Sequence, residues 1–365
     1  MQVLPGNRKA MIGVMLVALF FVAHPGFWVG AAGAASADGE HAKSATLFGP
    51  EVPLALTLSA PWRELMRNKS AKQRYPGTLG YVDESGAKRT VPVVVQPRGI
   101  NRLKVCQLPP IKLIFEKQAI EDTPFHGNKS LKLSTHCTSG ERWEQYVIKE
   151  MLAYHIYNLM TERSFKVRAL SVSYVDTANP STDGQHFGFL IEDDSAMAKR
   201  NHLEKLDLPK IPLAQLEPLE ASRMSLFEYL IGNTDYSELS SAAIDRCCHN
   251  TVLLGENAPA KVFAVPHDFD SSGLVDALYA VPNSILQIES NRERVYRGFC
   301  ANNAALETAR REMLRIEPQI LDLARAENRL TAGSRQWVGE YLSKGFESLR
   351  DDAKFARNVT AKCRK

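Results

Sequence analysis

Net charge is what this 365-residue chain has least of: 45 lysines and arginines against 41 aspartates and glutamates leave a formal +4. So close a balance argues against a nucleic-acid surface or a polyanion partner, either of which needs a basic face. After Ala23 no apolar run approaches the length of a membrane span. GxSxG, HExxH and CxxC are missing too, and with them the usual signatures of an α/β hydrolase, a zincin and a zinc ribbon. There is no internal repeat and no low-complexity linker.

What is present first is an export signal. Arg8 and Lys9 precede the apolar run Met11–Ala23, and Ala35-Ser36-Ala37 offers a small-residue cleavage site. Residues 1–37 therefore read as a signal peptide and 38–46 as a disordered linker, an uncleaved N-terminal anchor being the alternative. Cleavage would lower the net charge to +2. All six cysteines (Cys106, Cys137, Cys247, Cys248, Cys300 and Cys363) follow the cleavage site. An even number in an exported chain favours disulfides, with 15 possible pairings. At least two bridges are expected among the first five, with Cys363 left over near the end of the chain. Cys247-Cys248-His249 is a poor zinc site, because three successive residues do not easily converge on one tetrahedral ion.

The pattern is α+β. Residues 47–115 are β-rich, with DESGAK turning a hairpin, and IKLIFE (111–116) and SLKLS (130–134) add strands. A helix over 141–160 carries Ile148, Leu152, Ile156 and Leu159 on one stripe, with Tyr146, Ala153, Tyr154 and Tyr157 on another, so both sides are covered. Strands follow at 167–176 and 186–193. Helix is then expected over 194–207 and 212–231, and two amphipathic helices at 302–327 and 335–360 close the chain. This order suggests a β-rich lobe over 47–193 and a mainly helical lobe over 194–365 with a cleft between them.

The chemistry concentrates between Glu228 and Leu274. An apolar helix end leads to GNTD with Asp235, a strand opens at Asn250, and the turn HDFD carries Asp268 and Asp270. Those are hard oxygen ligands of the type that Mg²⁺ or Mn²⁺ takes. The plain alternative is a hairpin with acidic turns, since Asp and Asn form turns readily. Upstream, Lys132 and Glu150 are a strand cation and a helix acid of the kind that position nucleotide phosphates, with Lys112 as the competing cation. Structural roles are expected for His249 and His267.

In order along the chain, PRGINRLKVCQLPPIKLIFE, SLKLSTHC, GQHFGFLIEDD, GNTDYS and VPHDFDSSGL resemble the motifs of the CotH family of atypical secreted kinases, and more distantly of HipA-like kinases. The resemblance implies a two-lobed kinase-like fold and ATP-dependent, metal-dependent transfer of phosphate to a hydroxyl on a protein or cell-envelope acceptor. It implies Asp235 at the nucleophile and Asn250, Asp268 and Asp270 on metal. Lys132, Lys112, Arg98 and Glu192 would lie at the nucleotide, with Glu150 paired to Lys132. The chain departs from the family where RGINR replaces RGNSS, and where Asp235 and Asn250 stand 15 residues apart. Either a loop is inserted, or Ser240 or Asp245 takes the place of Asn250. A catalytically inactive kinase fold serving as a binding or assembly module is the alternative, and a hydrolase built on HDFD is a weaker third.

Overall fold

A computed structural model describes residues 47–49, 52–180, 182–241, 247–256 and 260–365. The expected leader and linker lie outside the described residues, as does Asp245. Seven strands close into a barrel in the order β1-β2-β3-β4-β5-β7-β6. They are β1 (Leu54–Ala60), β2 (Tyr75–Val82), β3 (Lys88–Pro97), β4 (Ile111–Ile114), β5 (Ser130–Ser134), β6 (Val167–Asp176) and β7 (Thr182–Ile191). Every neighbouring pair is antiparallel except β1 with β6, whose parallel pairing closes the ring and removes the sheet edges. The alternation of apolar residues fills the inside: Leu56, Leu58, Leu79, Val93, Val95, Leu113, Leu133 and Leu170 form one buried cluster. The expected hairpin turn is there. Asp83 accepts from the Ser85 and Ala87 amides, and Gly86 takes the left-handed conformation at φ +82°.

Helices α1 (Trp62–Arg67), α2 (Asn101–Val105) and α3 (Glu141–Met160) join the barrel strands. The span of α3 is the one its periodicity predicts, and both of its stripes are buried apart from Leu159, which is 38% exposed. The covering is two-sided because α3 lies between the outer barrel face, at Phe189 and Ile191, and the helical half, at Leu226 and Phe227. Below it come α4 (Asp194–Arg200), α5 (Pro218–Ile231) and a small antiparallel sheet of β8 (Glu204–Leu206), β9 (Thr251–Gly255) and β10 (Phe263–Pro266). The helix expected over 194–207 stops early because its tail pairs with β9 as β8.

Each of the two closing helices is divided. The first becomes α6 (Asn303–Arg315) and α7 (Glu317–Ala326), and the second becomes α8 (Ala332–Arg350) and α9 (Asp352–Asn358). Pro318 in the first turn of α7 has no amide to continue α6, and the Asp351 carboxylate caps α9 by accepting from the Lys354 amide. The architecture is α+β, with a β-rich N-terminal half and a helical C-terminal half. A closed seven-stranded barrel is, however, not the usual small lobe of a kinase.

Three disulfides pair all six cysteines: Cys106–Cys137, Cys247–Cys248 and Cys300–Cys363. Cys363 is thus not the odd residue expected. The chain end is held by exchange of backbone hydrogen bonds around Gly298, Cys300 and Arg364, and Arg364 also pairs with the buried Glu238. No helix among the described residues is long and apolar enough to cross a membrane. Thiol titration of the denatured, unreduced mature chain should find no free cysteine. Replacing Cys300 and Cys363 together by serine should lower stability by about 2–4 kcal/mol in denaturant titrations.

Candidate functional site

The acids of the 228–274 stretch are brought together by the end of α5 and the β9–β10 hairpin. Gly232 ends α5 in the left-handed conformation, φ +64°, and a Cβ there would collide with the Tyr341 hydroxyl. The chain then turns so that Asn233 accepts from the Asp235 amide, at 3.0 Å. On the hairpin, Thr251 pairs with Pro266, which sets Asn250 beside His267 at the open end, and the His267 amide donates to the Asn250 carbonyl. Ser237 bridges to His249. The 15-residue gap between Asp235 and Asn250 is therefore a loop that returns. The Asn250 amide donates to the Asp235 carbonyl at 2.7 Å and to its carboxylate at 3.3 Å.

His249 also belongs to this group. Its Nε2 lies 2.7 Å from Asp235 Oδ1, and that hydrogen bond raises its pKa. His267, by contrast, is buried, edge-on to Phe165, and pushed down to about 3 by burial.

Asp268 takes a left-handed backbone conformation at φ +64°, its amide donating to the Tyr154 hydroxyl of α3 at 2.9 Å. Against the effect of burial, Arg98, with His267, Arg102 and Lys132, holds its carboxyl below the ordinary value. Burial and the charge of Asp268 push Asp270 up to about 6, with Asp235 adding to the rise. Asp270 thus lies within electrostatic reach of both Asp268 and Asp235.

The pairing of Lys132 with Glu150 is overturned. Lys132 donates to Asp194 at 2.6 Å, and Asp194 also accepts from Lys205 at 2.8 Å. Glu150 accepts instead from the Ser134 hydroxyl at 2.9 Å and from Arg102 at 3.5 Å. The reason is strand geometry: Lys132 and Ser134 share one face of β5 but stand about 6.7 Å apart along it. Glu150 meets the serine, and the first turn of α4 offers Asp194 to the lysine. Lys112 is directly opposite Lys132 on β4 and exposed, so both lysines and Arg98 make one basic wall. The Glu192 carboxylate is committed, taking two bonds from Arg200 and one from the Lys166 amide.

The residue that sequence reasoning missed is Arg102, the last residue of RGINR. Its side chain is 6% exposed and reaches Glu150, Asp270 at 3.7 Å and the Thr135 carbonyl at 2.7 Å. The Tyr279 ring lies 5.8 Å from its guanidinium and 6.2 Å from Trp143, stacked on it. The departure from RGNSS was the available signal, since a loop arginine beside buried acids needs a partner. Burial pushes Glu150 up to about 8, against the pull of Arg102. Among the described residues no three of His, Cys, Asp and Glu are gathered as a ready metal cluster. Asn250 attends Asp235, while Asp270 faces Arg102.

Compared with known proteins, the chain matches no family model and no curated protein.

What the site can do follows from its two walls, one basic (Arg98, Lys112, Lys132) and one acidic (Asp235, Asp268, Asp270), the pairing needed to hold a polyanion together with a divalent cation. Glu150 also supplies a pH test. An acid whose folded pKa lies above its unfolded value binds more protons when folded. Its contribution is full below about 4.5 and is lost as pH rises through about 8. Glu150→Gln should therefore flatten the decline of melting temperature between pH 5 and pH 8. An unchanged slope would exclude Glu150 as its source.

Proposed function

We propose that this is an exported, CotH-like phosphotransferase that uses ATP with Mg²⁺ or Mn²⁺ to modify a hydroxyl on a protein or cell-envelope acceptor. The observation that carries the reading is the gathering of Asp235, Asp268 and Asp270, with Asn250 on Asp235, opposite Arg98, Lys112 and Lys132. In this reading Asp235 orients the acceptor hydroxyl and takes its proton, while His249 fixes the carboxylate's direction through its hydrogen bond. Asp268, Asp270 and Asn250 hold the metal. Arg98, Lys112 and Lys132 receive the phosphates. The metal would supply charge neutralisation between the phosphate groups. Arg102 takes the place first given to Lys132, as the cation held by the α3 acid. Export is supported by the leader-like N-terminus and by three disulfides.

A second reading rests on Arg102 itself. Its guanidinium already pairs with Asp270, one of the acids given to the metal, which favours a kinase-like fold kept as a binding module.

Thermal-shift titration separates the two. A catalytic site should raise the melting temperature with ATP plus Mg²⁺ or Mn²⁺, by about 2.7 kcal/mol of added stability at a hundredfold excess over Kd. No shift with either metal favours the module. Asp235→Asn should reduce transfer about 100-fold or more while keeping the nucleotide-induced shift. Lys112→Ala should weaken that shift without altering the melting temperature of the free protein, whereas Arg98→Ala, which also uncovers the charge of Asp268, should lower both.

A further inference from the structure

At one mouth of the barrel, apart from the acids, four rings form a cup. Trp62 of α1 meets Tyr174 of β6 edge-to-face at 5.1 Å, and His136 stacks on His186 at 4.0 Å. Tyr174 joins the two pairs, 5.6 Å from His136 and 6.2 Å from His186. His186 is the register partner of Val172, and Tyr174 stands two residues beyond it, so both point to the side of the barrel core. The cup encloses about 260 Å³. It is continuous with an open depression of about 760 Å³ through shared walls at Arg63, Met66, Gln107 and Asp176. Barrel mouths are common places for small-ligand pockets.

Two of the residues that line this cup carry a buried polar atom without a partner. His136 is 7% exposed, yet its Nδ1 has no hydrogen-bond partner, and neither has the Tyr174 hydroxyl. His186 uses Nδ1 on Glu144 at 2.9 Å. The Gln107 side-chain oxygen accepts from Thr138, while its nitrogen has no acceptor among the described residues. Buried polar groups without partners are costly, so a cup that keeps two of them beside the exposed Gln107 amide suggests a ligand that supplies partners.

The charge balance selects its kind. Burial holds His136 neutral, with a pKa of about 3. Two imidazoles 4.0 Å apart do not readily both carry charge. Arg63 is offset by Asp176, whose carboxylate is tied to the Arg63, Ala178 and Asn179 amides. An anion finds no concentrated cation here. A purely aromatic guest would leave the amide, hydroxyl and imidazole groups desolvated and unpaired. A sugar ring offers an apolar C–H face to the aromatic rings and a rim of hydroxyls that both donate and accept.

We propose that this cup is a second binding site, which takes the terminal ring of a neutral glycan while the following residues lie in the open depression. The assignment is independent of phosphotransfer.

The test uses the mature chain and a panel of neutral sugars (glucose, galactose, mannose, N-acetylglucosamine and their short oligomers), read by saturation-transfer NMR and thermal shift. At least one sugar should bind with Kd below about 10 mM. Gln107→Ala and Tyr174→Phe should each weaken it about tenfold, the first leaving the melting temperature of the free protein unchanged and the second not lowering it. Asp235→Asn should bind the same sugar as tightly as the parent. No binding across the panel at about 10 mM overturns the proposal, as does binding that ignores both cup variants. Sugar displaced by ATP would place it in the acid cleft, and AMP or benzoate bound in the cup in preference to sugar would make it an aromatic-ligand site. Either result overturns the proposal too.

Discussion

A guanidinium with almost no access to water lies between two carboxyl groups, and the acid site is arranged around that triad. Arg102 is held by Glu150 from one helix and Asp270 from the turn after β10, and it donates to the Thr135 carbonyl beyond the end of β5. Three separate stretches of chain are thereby fixed to one atom group. Removing water from such ions costs several kcal/mol each, and burial meets that cost by holding Glu150 protonated up to about 8, so that Arg102 is left to face the charge of Asp270. Removing Arg102 alone would leave two buried acids facing each other. The triad is thus a constraint on placement more than a source of stability.

The same constraint explains the rest of the acid cluster. With Arg102 engaged by Glu150 and Asp270, the balance for Asp268 comes mainly from Arg98, and Lys132 is left to Asp194 on α4. Asp235, at the solvent edge, has His249 and Asn250 instead. The acids differ in their partners and so in their readiness to ionise: Asp268 is held below its ordinary value and Asp270 well above. Environments that separate the pKa values of neighbouring acids are how one site comes to hold groups in different protonation states.

Much of the fold could be read from periodicity, and much of the site could not. The long helix, the hairpin at Asp83 and the strands at 130–134 and 167–176 lie where local pattern places them, because each buries a regular face. Closure of the barrel depends on the pairing of β1 with β6, more than 100 residues apart in sequence, and nothing local signals it. The acids were visible as residue types on turns, yet their partners were not. Lys132 and Ser134 are equally placed on one face of β5, and only the tertiary position of α3 decides which of them meets Glu150. Arg102 was signalled only by the departure from RGNSS, because the five residues of α2 are too few for a periodicity that shows which side chains turn inward. The division of the last helices, by contrast, was legible in Pro318 and Asp351.

Holding Arg102 in place is more than α2 can do alone. A helix of five residues is far below the length at which helices are stable by themselves, and this one has no side-chain cap. The Cys106–Cys137 disulfide supplies the missing restraint by joining the residue after α2 to the segment after β5. That segment is shared by two sites. Ser134 reaches Glu150 on the acid side, while His136 and Thr138 face the aromatic cup. On the other half of the bridge, Arg98 and Arg102 belong to the cleft and Gln107 to the cup. One covalent link thus sets the geometry of both, and it bridges the two loops that local sequence specifies least.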